Sequence, residues 1–318
     1  MRTEVAARTD KDGKESRQVM SGSLPTISTV THVMSVDVED YFQVEAFAET
    51  VSVDSWDTRP SRVVANTQRA LDLLDRHGAR ATFFFVGWVA QRFPGIVREV
   101  VSRGHEVACH SYWHRAIYKL SPDEFRKDTR LAKDVIEQAG GVQVKGYRAP
   151  TWSITKQSIW ALHILAEEGF LYDSSVYPIR HDLYGIPGAR RVPYTHDLGG
   201  LRLREYPPAT LRMSGMTLPA AGGGYLRVFP MWYTQRAFSS AEKNGEFVVV
   251  YFHPWELDPE QPRISAKLRS RFRHYTNLGR MESRLGDLLS RYCFRPFEDV
   301  VLAEGMQPKS AGAETQSS

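Results

Sequence analysis

Glu106-Val107-Ala108-Cys109-His110-Ser111-Tyr112-Trp113-His114 decides the reading of this chain. Four residues suited to a buried strand lead straight into two histidines four apart. On one helical turn, side chains at that spacing face the same way, so the two imidazoles can share one divalent cation. The spacing alone is weak, because such pairs also arise by chance on surfaces. The pattern of a short apolar run delivering polar residues at its end recurs along the chain, and that recurrence carries the argument.

His32-Val33-Met34-Ser35-Val36 ends at Asp37-Val38-Glu39-Asp40, and Ala81-Thr82-Phe83-Phe84-Phe85-Val86 ends at Gly87. Val144-Lys145-Gly146-Tyr147 leads to Arg148-Ala149-Pro150, and Phe170-Leu171-Tyr172 to Asp173-Ser174. Phe247-Val248-Val249-Val250-Tyr251-Phe252 is the strongest of these runs and ends at His253-Pro254-Trp255-Glu256. Between them lie helix-period segments. Ser61 to His77 is set between Pro60 and Gly78, which is helix punctuation. Ser121-Pro122-Asp123-Glu124 is a capping signature for a helix running to about Ala139. Thr155 to Glu168, Tyr233 to Asn244 and Glu282 to Tyr292 also read as helices, and Phe294 to Leu302 as a final strand. Residues 176–230 are less regular, with a strand at Leu201 to Tyr206 and a flexible loop at Ala221 to Tyr225.

Strands alternating with helices predict an α/β fold with a mostly parallel sheet. Without a repeat or a linker, one domain over 32–303 suits a distorted (β/α)-barrel of about seven parallel strands, with a C-terminal extension from about residue 260. Residues 1–31 read as a disordered leader and 304–318 as a disordered tail.

Of the 318 residues, 42% are hydrophobic and 25% charged, with a net charge of +4. That is ordinary globular composition, and the spread of basic residues gives nucleic-acid binding no support. There is no apolar stretch of about 18 residues, so a membrane-spanning helix is not expected. No signal-peptide core is visible, so the expected location is cytoplasmic. The two cysteines, Cys109 and Cys293, form no framework, and Cys109 reads as a small buried apolar side chain.

In parallel α/β folds the residues at the C-terminal strand ends meet on one rim. Here those are Asp37, Glu39, Asp40, His110, His114, Arg148, Asp173 and His253. Two histidines and a carboxylate make a three-ligand site that leaves positions open for water and substrate. A further carboxylate can take a proton from water, a histidine on the facing strand can protonate a leaving amine, and an arginine can hold the base.

These blocks, in this order, resemble the polysaccharide deacetylases of carbohydrate esterase family four, the NodB-type homology domain. His110-Ser111-Tyr112-Trp113-His114 is similar to the family's His-Ser/Thr-x-x-His block, and Arg148-Ala149-Pro150 to its Arg-x-Pro block. Asp173-Ser174 fits the fourth block loosely and His253 the fifth. The first block departs from the usual Asp-Asp, and Asp37-Val38-Glu39-Asp40-Tyr41-Phe42 resembles the subgroup related to one peptidoglycan deacetylase and to metal-independent allantoinases. The segment His253 to Asp258, followed by Phe272-Arg273-His274-Tyr275, is similar to the exopolysaccharide-locus deacetylases of bacterial exosortase systems.

The resemblance implies a metal-dependent hydrolase that removes N-acetyl groups from an amino-sugar polymer or its precursor. It implies a divalent metal, zinc as first choice, on His110, His114 and either Glu39 or Asp40. Asp37 would be the base, Arg148 its partner, His253 the acid and Asp173 the group orienting His253. Strand alternation favours Glu39 over Asp40 as ligand. Trp113, Trp152, Trp255 and Tyr225 are candidates for stacking on sugar rings. Two rival readings are a small-amide hydrolase of allantoinase type and an inactive carbohydrate-binding homologue.

Overall fold

A computed structural model describes residues 30–305. Nearly all of the expected leader and tail lie outside the described residues, and Thr31 already belongs to the first strand. In chain order the strands are β1 (Thr31–Val38), β2 (Thr82–Phe85), β3 (Glu106–Cys109), β4 (Gly146–Tyr147), β5 (Tyr172–Asp173), β6 (Tyr194–Leu198), β7 (Leu201–Glu205), β8 (Thr210–Met213), β9 (Met216–Pro219), β10 (Val249–Phe252) and β11 (Cys293–Arg295). The helices are α1 (Val63–Arg76), α2 (Gly87–Arg92), α3 (Pro94–Ser102), α4 (Pro122–Gly140), α5 (Ala161–Glu167), α6 (Gly223–Val228), α7 (Met231–Glu242), α8 (Leu268–Tyr275), α9 (Met281–Arg291) and α10 (Phe297–Ala303).

The main sheet runs β10-β1-β2-β3-β4-β5-β7-β6, with β11 also paired to β1. All its pairings are parallel except β6 with β7. The ladder is open between β7 and β10. There the amide N–H of Ala209, just past β7, donates to the carbonyl of Val249 at 3.0 Å and bridges the gap. The result is the expected distorted barrel. Its helices punctuate as the sequence requires. In α4, Ser121 and Glu124 form a reciprocal capping box, and Gly141 ends the helix with φ 68°.

Three expectations on secondary structure need correction. Phe294 to Leu302 is a short strand followed by α10, because Pro296 ends the strand and starts the helix. Gly223 opens α6 instead of lying in a flexible loop. The neighbouring Gly222 has φ 134° and lies so close to the Tyr251 ring that any Cβ would overlap it. Helix α5 begins at Ala161, six residues later than Thr155, because Thr155 and Ser158 tie up local backbone in turns first.

Period-two alternation along the strands sorts the side chains into barrel interior and outer layer. On β1, Met34, Val36 and Val38 join the core under the helices. Val33 instead packs inside the barrel with Phe84, Ala108, Tyr172 and Val249. The foot of the barrel is closed by Phe297, Val300 and Val301 of α10. Gly146 on β4 is required there, since a Cβ would fall 1.9 Å from the Tyr172 ring.

Glu106 is buried at this foot. It accepts hydrogen bonds from Thr82 Oγ1 (2.5 Å), Tyr172 OH (2.8 Å) and the N–H of Glu298 at the start of α10 (2.8 Å). Burial outweighs these bonds and pushes its pKa up to about 7 from 4.5. The folded protein therefore holds a proton that the unfolded chain releases between those values, so this contribution to stability is lost as pH rises through that window. In Glu106→Gln this part of the slope should vanish. Its advantage in unfolding free energy over the wild type should grow by about 2–3 kcal/mol from about pH 5 to about pH 8. Denaturant titrations at the two pH values measure this, and a constant difference would show that Glu106 is ionised throughout.

Candidate active site

Continuing the interior faces of β1, β3, β4 and β10 upward leads to one cluster of polar side chains at the C-terminal rim. Arg148 sits at its base, fully buried inside the barrel. Its guanidinium lies 4.2 Å from the centre of the Phe84 ring and 4.8 Å from that of Trp152. Every arm of the fork is engaged: Nη1 donates to Ser35 Oγ (2.8 Å) and Asp37 Oδ1 (2.6 Å), Nη2 to Ser174 Oγ (3.0 Å) and Nε to the Ser174 carbonyl (3.2 Å). A buried cation this fully bonded holds Asp37 in one orientation. Oδ1 is taken by the arginine, and Oδ2 faces the pocket 3.9 Å from His253 Nε2.

Glu39, His110 and His114 stand together above this pair, all buried, with one ligand atom from each within 4.8 Å of the others. His110 Nδ1 lies 2.7 Å from the carbonyl oxygen of Arg148. A carbonyl only accepts, so Nδ1 carries the hydrogen and Nε2 keeps its lone pair. Burial lowers the His110 pKa to about 4, which keeps the ring neutral. Glu39 Oε1 accepts from Trp255 Nε1 at 3.0 Å. Its Oε2 lies 2.6 Å from His114 Nε2, but the approach is out of line and leaves Oε2 without a hydrogen-bond partner. Burial opposes the charge on Glu39, yet the three surrounding histidines overcome it and hold the pKa at about 2. An ionised, incompletely bonded carboxylate beside a neutral imidazole with its lone pair free suits a divalent cation.

The two histidines meet for a reason other than the expected helical turn. Residues 110–116 form an irregular loop in which Ser111 (φ 64°) and His114 (φ 51°) are left-handed. That turn brings the imidazole centroids to 5.1 Å. Left-handed backbone at a non-glycine residue is uncommon and concentrates at functional loops.

Two expected site residues lie elsewhere. Asp40 turns away from the histidines and caps α1: its Oδ2 accepts from Ser61 Oγ (2.5 Å) and from the N–H groups of Arg62 (3.0 Å) and Val63 (3.3 Å). Glu39, and not Asp40, stands with the two histidines. Asp173 makes no hydrogen bond or ion pair with His253 among the described residues. It faces Glu205 on the adjoining β7 in direct register, and Ser175 donates to it. Burial, reinforced by Glu205, holds the Asp173 carboxyl well above the usual range, so this is a protonated structural pair.

The group that orients His253 is Glu256. Its Oε2 accepts from His253 Nδ1 (3.0 Å) and from the His253 N–H (2.9 Å), while Oε1 accepts from Arg227 Nε (2.6 Å). Burial works against charge on His253, but Glu256, with Glu39 and Asp37, pushes its pKa up to about 9. The signal was present in the sequence as His253-Pro254-Trp255-Glu256, a carboxylate at the third position of a turn begun by proline. Trp255 is not free to stack on a sugar. His253 covers one side at 5.1 Å and His274 of α8 the other at 4.1 Å, both nearly parallel. Trp152 is likewise enclosed by Tyr177 and Tyr251. Cys109 is buried, which pushes its thiol up and leaves it unreactive.

Residues 48–166 match the family described as polysaccharide deacetylase, and residues 174–302 match a domain of unknown function, DUF3473. A peptidoglycan-N-acetylglucosamine deacetylase of Bacillus cereus is 32% identical over 96 residues, which is 30% of this chain and 35% of that protein. A bifunctional xylanase/deacetylase of Pseudobutyrivibrio xylanivorans is 34% identical over 101 residues, 31% of this chain and 16% of that protein. The matched segments are thus a minor part of both proteins. A structure described as a putative polysaccharide deacetylase from Mycobacterium smegmatis shares the fold with a TM-score of 0.58 at 19% identity, covering 92% of this chain and 96% of its own. The Puue allantoinase structure does so with a TM-score of 0.57 at 16% identity, covering 90% of this chain and 94% of its own. Within one barrel, residues 48–166 are thus similar to the polysaccharide deacetylase family and residues 174–302 to the DUF3473 domain.

Proposed function

We propose that this chain is a metal-dependent hydrolase that removes N-acetyl groups from amino sugars of an extracellular-type polysaccharide or its precursor. The observation that carries this reading is the meeting of Asp37, the Glu39–His110–His114 cluster and His253 around one pocket. A divalent cation held by Glu39, His110 and His114 supplies Lewis-acid polarisation of a carbonyl and a lowered pKa for water. Zinc suits the two imidazoles and one carboxylate.

The chain's own residues do the proton work. Asp37, fixed through Oδ1 by Arg148, presents Oδ2 to accept the proton of the attacking water. His253 holds its Nδ1 hydrogen against Glu256, and its raised pKa keeps a second hydrogen on Nε2 at neutral pH. That nitrogen points toward Asp37 and Glu39, so it can hand its proton to the departing amine. Glu256, anchored by Arg227, keeps the ring from turning. The assignment of base to Asp37 and acid to His253 follows from their environments. One is a carboxylate locked beside an arginine, the other an imidazole locked between carboxylates.

The test combines metal content with acetate release. Chelated protein titrated with zinc should take up one ion per chain with a rise in Tm, and should then release acetate from N-acetylated oligosaccharides. Hydrolysis of allantoin by metal-free protein, without acetate release, would replace this reading with the small-amide one. Sugar binding with neither reaction would leave only a binding module.

A further inference from the structure

The face of α8 turned away from the pocket has no role in that chemistry. Its Leu268 and Phe272, four apart on one stripe, are 81% and 64% exposed. From Arg263 to Arg280 the chain carries six cations and no carboxylate. Carboxylates from elsewhere reach only part of this set: Glu49 pairs with Lys267, and Asp182 with Arg269 and Arg273. Those pairs are exposed and hold the cations weakly. Arg271 has no ion-pair partner among the described residues. Arg263 lies over the Tyr275 ring at 4.3 Å. Arg263, Leu268, Arg271, Phe272, Tyr275 and Thr276 line one shallow, open groove.

We propose that α8 and the segment leading into it dock on an anionic phospholipid membrane. Charge complementarity selects this occupant. Two large apolar side chains stand clear of the surface, flanked by cations on both sides and by two arginines in one groove. That is the pattern of a helix lying in the interface, with Leu268 and Phe272 entering the acyl boundary and the arginines meeting phosphates. A soluble acidic partner would use the cations and leave the two apolar side chains in water. The opposite face of the helix fixes the consequence. His274 is buried against Trp255, which stacks on His253, so only two ring contacts separate the docking helix from the pocket. Docking therefore holds the pocket a short distance from the membrane surface. The inference stands on the surface alone and does not depend on the reaction proposed above.

Vesicle sedimentation of the full chain tests it. The protein should partition onto vesicles of phosphatidylcholine with roughly 30% phosphatidylglycerol and stay in solution with phosphatidylcholine alone. Raising salt from about 50 to about 300 mM should weaken binding by on the order of tenfold. A Leu268→Ser/Phe272→Ser variant should lose tenfold or more at either salt, with metal content and Tm unchanged, and Arg263→Gln/Arg271→Gln should lose binding at low salt. Three results would overturn the proposal. The wild type could ignore phosphatidylglycerol, or the apolar variant could bind as tightly as the wild type. Ultracentrifugation could instead show a dimer that the apolar variant splits, which would assign the face to a second copy of the chain.

Discussion

Asp37→Asn should lower turnover by on the order of a hundredfold or more while leaving bound metal in place, since general base catalysis is typically worth that factor. The substitution is nearly isosteric. Asn can still accept from Arg148 Nη1 and Ser35 still shares that nitrogen, so the barrel interior keeps its hydrogen bonds. What is lost is the acceptor at Oδ2, which faces the pocket near His253. The loss should appear in kcat more than in KM, because the proton moves in the transition state. Bound metal and acetate release measured on the same preparation decide the matter. Metal lost with Asp37→Asn would make Asp37 a ligand and put the base elsewhere.

Glu39→Gln and Asp40→Asn should separate cleanly, although the residues are neighbours. Glu39→Gln removes the one anionic donor of the cluster and should strip the metal, with activity falling to background. Asp40→Asn should keep metal and most of the activity. Its cost falls on α1: the bonds to Arg62 and Val63 weaken, and about 1 kcal/mol of stability goes with them. Metal analysis and denaturant unfolding of both variants read the two effects apart. Equal metal content in the two would sink the assignment of Glu39.

The sequence showed more of the barrel than of its rim. Apolar runs such as Phe83 to Phe85 and Val249 to Phe252 are buried on both faces, so composition alone reveals them. The hairpin strands Tyr194–Leu198 and Met216–Pro219 stay half exposed, and among Arg and Gly they carry no comparable signal. The last segment misled because the apolar residues of Phe294 to Leu302 come in two short groups around Glu298 and Asp299, and so short a pattern does not tell strand from helix. At the rim, residue types and strand ends were legible because β geometry is periodic. Partnerships were not. Asp173 meets Glu205 because β5 and β7 adjoin, a fact of topology that no local spacing encodes. The gathering of His110 and His114 depends on two left-handed residues that no propensity would assign to Ser and His.

Strand β1 pairs with β2, which follows it closely in the chain, and with β10 and β11, which come much later. The bond from Trp255 to Glu39 spans 216 residues of chain. At ribosomal speeds of about 5–20 residues per second, roughly 10–40 s pass between the emergence of Glu39 and that of Trp255. Throughout that interval β1 has an edge without its partner, and the carboxylates of the rim lack their histidine. The pocket is therefore incomplete until residues 253–255 have been made, and any device that shields a waiting strand edge would have its work at β1. A stalled or prematurely ended chain would carry Glu39, His110 and His114 yet lack His253 and the Glu256 that orients it.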